Sequence, residues 1–108
     1  MVKICASQLI TRKAMRDRKL VLISVSGYSP DHDKFLASLL DESYELFCVV
    51  GKDCELWEEI MDEIAVGDGS NSRYISTTSH VGESAEEVIE FAKNWTTETP
   101  SSIKIVNI

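Results

Sequence analysis

The chain of 108 residues has no run of about 18 consecutive apolar residues, the length a membrane-spanning helix requires. Its opening stretch, Met1 to Ile10, is broken by Lys3, Ser7 and Gln8 and so lacks the apolar centre of a secretory leader. Together these absences predict a cytoplasmic protein with no membrane partner. Cys5, Cys48 and Cys54 are odd in number and contain no CxxC pair, which fits neither a disulfide framework nor a zinc site. Reduced thiols are expected, with Cys48 a small buried hydrophobe and Cys54 in the first turn of a helix beside Lys52. Positive charge is also scarce. Eleven Lys and Arg against eighteen Asp and Glu leave a net charge of −7. Proteins that hold phosphate backbones need clustered cations, so nucleic acid is not an expected partner.

The signatures of common reactions are missing as well. Gly27 stands alone in its loop, so there is neither a GxGxxG dinucleotide fingerprint nor a GxxxxGK phosphate loop. No GxSxG nucleophile elbow occurs. The first strand ends in Ser24-Val25-Ser26, where a phosphorylatable receiver would place acids for magnesium. No catalytic residue, metal site or cofactor is predicted.

What is present is a regular alternation. Leu20 to Val25 is a run of branched apolar residues ending at Gly27, the pattern of a strand covered on both faces. Ser29-Pro30-Asp31 then offers an N-cap, a proline for the first helical position and an acid for the first turn, and Phe35, Leu36, Leu39 and Leu40 supply an apolar helical stripe. The unit repeats. Tyr44 to Val50 reads as a strand, and Asp53 as the cap of a helix whose stripe is Leu56, Trp57, Ile60, Met61 and Ile64, stopped by Gly67. Asp68 to Ser72 is a loop. Tyr74 to Thr78 reads as a more polar strand with less cover, followed by a capping box, Ser84 with Glu87, and a helix striped by Ala85, Val88, Ile89, Ala92 and Trp95. Ile103 to Ile108 completes a fourth strand.

Strand, helix, strand repeated three times implies parallel pairing, because each crossover returns the chain to the same end of the sheet. The expectation is a three-layer α/β domain over residues 20–108 with a mostly parallel four-stranded sheet. Residues 1–19 form a basic arm or an added edge strand. This order of elements resembles the flavodoxin-like and Rossmann-like folds in outline. The resemblance implies architecture alone and transfers no functional residue.

Ligands of open parallel sheets bind beyond the carboxyl ends of the strands, where adjacent loops part. With strand order 2-1-3-4, the parting loops would be those after the first and third strands, and His32 and His80 would share one edge. Tyr28, Asp31, His32, Ser79, His80, Glu83 and Ser84 are the candidate ligand-binding residues on that basis. Imidazoles beside carboxylates suit acid–base work or a divalent ion, and free amides at a helix start suit a small anion. Plain structural duties weigh against this: Asp31 satisfies a helix dipole, Ser84 caps, and Glu83 and Glu86 would repel a phosphate.

Charge supplies the other candidate. Residues 1–19 hold six basic side chains and one acid, for +5, so the other 89 residues carry −12. Glu55, Glu58, Glu59, Asp62 and Glu63 line the side of one helix opposite its apolar stripe. Such a face is ordinarily just solvated, yet it could also steer a basic protein. Trp57, Phe91 and Trp95 adjoin apolar stripes and are read as packing residues. The primary expectation is a noncatalytic protein-interaction module with a basic partner; the alternative is a domain, or a minor enzyme, that binds a small anionic ligand at the strand ends. Homodimerisation through an edge strand or apolar helix face is compatible with both.

Overall fold

A computed structural model describes residues 17–70, 72–97 and 101–108. The arm or edge strand expected over residues 1–19 lies outside the described residues up to residue 16, Cys5 included, while Asp17, Arg18 and Lys19 open the first strand. Four strands, β1 (Asp17–Ser24), β2 (Leu46–Gly51), β3 (Ser76–His80) and β4 (Ser102–Asn107), alternate with α1 (Asp33–Asp41), α2 (Cys54–Val66) and α3 (Ala85–Asn94). All pairings are parallel, in the order β3-β2-β1-β4. The fold is therefore α/β with a flavodoxin-like outline, as its alternating pattern implied.

The two central strands carry the core because each is covered twice. Leu20 and Leu22 of β1 and Phe47 and Val49 of β2 meet Leu36, Leu39, Trp57 and Met61 from α1 and α2. The intervening residues, Val21, Leu46, Cys48 and Val50, meet Val88 and Ala92 of α3 on the opposite face. Each fully buried aliphatic or aromatic side chain contributes about 1.5–3 kcal/mol relative to exposure. Burial also pushes the Cys48 thiol above its ordinary pKa, in keeping with a structural role.

Strand order differs from the expected 2-1-3-4. The chain steps from β1 to β2 to β3 in one direction, then returns over both to place β4 beside β1. A right-handed crossover that reverses direction along a sheet must switch faces, which is why α3 lies opposite α1 and α2. The more polar third strand becomes an edge, not a neighbour of β1. Its apparent dilution by Ser76, Thr77 and Thr78 reflects that position, and it runs two residues further along the chain than its branched residues suggested. The helix expected from Ser29 begins with a 3-10 turn, Pro30–His32, before α1.

Two local devices hold the centre. Lys19, 5% exposed, lies on the α3 side of β1 and donates from Nζ to the carbonyls of Ala92 (2.7 Å) and Trp95 (2.5 Å). A buried cation is thus matched to the negative end of a helix. At the other end of β1, Gly51 has φ +101°, and a Cβ there would stand 2.2 Å from the Ser24 carbonyl oxygen. No side chain fits.

Replacing Gly51 with Ala should cost more than about 1 kcal/mol, since both backbone conformation and space are incompatible. Lys19→Met should cost about 1–3 kcal/mol by stripping the α3 carbonyls of their donor. Urea midpoints at constant slope measure both; a Lys19→Met midpoint equal to the parent would remove Lys19 from the account.

Candidate functional site

Adjacent strands whose outgoing loops turn to opposite faces are β2 and β3, because β2 leads to α2 and β3 to α3. Between them lies a concavity of about 410 Å³ walled by Gly51, Asp53, Cys54, Glu55 and Leu56 on one side and Val81 on the other. Asp53 adopts a left-handed conformation, φ 59°. It does not cap α2 through its side chain, as its position suggested; Oδ2 instead accepts from the Tyr28 amide at 3.1 Å. Gly27 makes this possible, since a Cβ there would be 2.5 Å from the same oxygen. Cys54 begins α2 and is buried. With a committed carboxylate, a second acid at Glu55 and apolar lips at Leu56 and Val81, the crevice offers no cradle for an anion.

The two histidines do not meet at this crevice or at each other. His32 ends the 3-10 turn on the α1–α2 side, where its ring stacks on Trp57 at 5.0 Å and its Nδ1 accepts from the Ser29 amide at 3.3 Å. His80 ends β3 on the α3 side, with an edge contact to Phe91 at 4.9 Å. Its Nε2 is 2.8 Å from Thr78 Oγ1, and its Nδ1 is 3.1 Å from Glu83 Oε2. The expectation of one histidine-bearing rim depended on β1 and β3 being neighbours, and β2 separates them. Among the described residues no three His, Cys, Asp or Glu side chains gather as a metal site.

The remaining candidates take up local tasks. Tyr28 packs edge-on against Trp57, and its hydroxyl donates to Asp33 Oδ1. That bond pushes the phenol up to about pKa 12, with burial and the Asp33 charge adding to it. Asp31 is exposed in the 3-10 turn. Ser84 Oγ caps α3 by accepting from the Glu87 amide at 3.2 Å, while Glu87 accepts from the Ser84 amide at 2.9 Å. These bonds hold the Glu87 carboxyl below its usual range.

Ser79 points the other way, toward α2. Its hydroxyl donates to Glu58 at 2.6 Å, and that of Thr77 donates to Asp62 at 2.7 Å. Thr77 was legible as a polar strand residue and Ser79 was expected in the loop beyond it; the register of β3 under α2 turns both hydroxyls into a shelf for carboxylates. Glu55, Glu58, Glu59, Asp62 and Glu63 together line a shallow concavity of about 790 Å³ that ends at Val66 and Gly67. Among the described residues none of the five takes part in an ion pair.

The Tyr28–Asp33 bond has a pH signature. The neutral phenol is favoured by folding, so its contribution is whole below pH 10 and lost as pH rises toward about 12. Tyr28→Phe should abolish that alkaline decline, and Asp33→Asn should move the phenol's absorbance titration back toward 10; an unmoved titration would detach the shift from Asp33.

No curated protein and no solved structure matches the chain. Among the described residues no helix is long and apolar enough to cross a membrane. One family model does match, over residues 4–108, and it covers nearly the whole sequence. By that match this small α/β domain belongs to the family described as a domain of unknown function, DUF7684.

Proposed function

We propose that the domain is a noncatalytic protein-interaction module whose acidic α2 face receives a basic partner. The observation that supports this reading is the concavity lined by five carboxylates without an ion-pair partner among the described residues. The arrangement is costly to the helix itself. Glu59 lies four residues from Glu55 and Glu63 and three from Asp62, and each such like-charge pair disfavours a helix by about 0.2–0.5 kcal/mol. Glu63 also stands in the last turn of α2, which holds no basic residue, so it opposes the helix dipole. A face that lowers its own helix's stability and raises local negative potential suits recognition of cations better than it suits folding.

The β2–β3 crevice fits this reading too, because its acids disfavour the small anion that the histidine loops suggested. Fluorescence anisotropy with a labelled oligolysine peptide is the test. Binding should weaken steeply between 0.05 and 0.5 M salt (chosen conditions that shorten the Debye length from above to well below about 10 Å). Glu59→Gln combined with Asp62→Asn should reduce affinity about 5-fold, from roughly 1 kcal/mol of lost charge interaction. The same pair should raise the thermal midpoint. Undiminished affinity in the double variant, or no capture at low salt, would overturn the proposal.

A further inference from the structure

Among the described residues the outer edge of β3 is an open half of a hydrogen-bond ladder. The Ser76 amide donates to the Glu45 carbonyl, on the β2 side. Backbone groups alternate along a strand, so Ser76, Thr78 and His80 use theirs on β2 while Thr77 and Ser79 turn theirs outward. Among the described residues no strand pairs with that side. Edges are usually blunted by lysine, proline, a bulge or a covering element. The opposite edge strand has Lys104, and its pairing with β1 is irregular at Asp17 and Lys19. The five residues of β3 contain none of these guards.

Charge selects what can add there. The side chains of Thr77 and Ser79 lie under α2 and donate to Asp62 and Glu58, so two carboxylates overhang the outward-facing positions. A strand added about 4.8 Å beyond β3 would place every second side chain on that same side. Lysine or arginine at those alternate positions would reach Glu58 and Asp62. A second copy pairing antiparallel about a two-fold axis would instead bring both copies' acids to one seam, where like charges repel.

We propose that the β3 edge of this domain accepts a basic extended peptide as a fifth strand, with alternate Lys or Arg side chains set against Glu58 and Asp62. The inference rests on the acidic-face reading and deepens it by naming the partner's conformation: main-chain bonds supply affinity and the alternation supplies selectivity.

The test uses the full chain and two capped hexapeptides of alternating Lys and Val, identical except that one carries N-methyl groups on the amides that would face β3. N-methylation leaves charge unchanged and removes the ladder donors. The parent peptide should bind at least 10-fold more tightly, and should slow hydrogen exchange at the Thr77 and Ser79 amides while leaving Thr78 as it was. Equal binding of the two peptides would overturn strand addition yet leave an acidic docking face intact, and failure of both to bind would overturn both readings. Protection of the Thr77 and Ser79 amides in the free protein, with a dimer mass by light scattering, would assign the edge to a second copy and overturn the inference.

Discussion

The molecule depends on the parallel pairing of β1 with β2, two strands buried on both faces. Neither can be solvated on either side: Leu20, Val21, Leu22, Phe47, Cys48 and Val49 are all inaccessible, and their odd and even positions call for separate apolar covers. Two crossovers in one direction can cover only one face. The return from β3 to β4 supplies the other, and it fixes the strand order, the position of α3 and the place where loops diverge. The buried Lys19 and the side-chain-free Gly51 are the local terms of that arrangement, one tying the sheet to the carboxyl end of α3 and the other letting two strand ends touch.

The same topology decides which chemistry is brought together. It sends His32 to the aromatic cluster around Trp57 and His80 to Phe91, and it uses Nδ1 of His32 and both nitrogens of His80 locally. It also lays α2 across β3, where serine and threonine hydroxyls meet the acidic side of the helix. The charge belongs to α2, while the hydroxyls of β3 hold two of its carboxylates in place. This unites the polar character of β3 with the solvated face of α2 in one surface.

Much of this was legible in the residues. Branched apolar runs ending near glycine marked β1 and β2, and the Ser84–Glu87 reciprocal cap marked the start of α3 to the residue. The identity of the acidic face was equally plain, since its five members follow from helical spacing. Strand order was not legible, because periodicity reports which face a residue takes but not which neighbour its strand finds. That one unknown misplaced the diverging loops and joined two histidines that β2 keeps apart. Asp53 was misassigned for a related reason: its capping position is visible in sequence, while the Tyr28 amide that claims its carboxylate comes from a different loop.

Cover on the two sides of the sheet is unequal. Among the described residues two helices shield one face and α3 alone shields the other, where Ile105 remains 46% exposed. Conformational openings in small domains begin where the fewest apolar contacts must be broken. Detachment of α3 disrupts only the smaller of the two apolar clusters and releases the Lys19 ammonium to water, while the Trp57 cluster stays closed. The domain thus has a weaker side and a stronger side, with β1 and β2 as the partition between them.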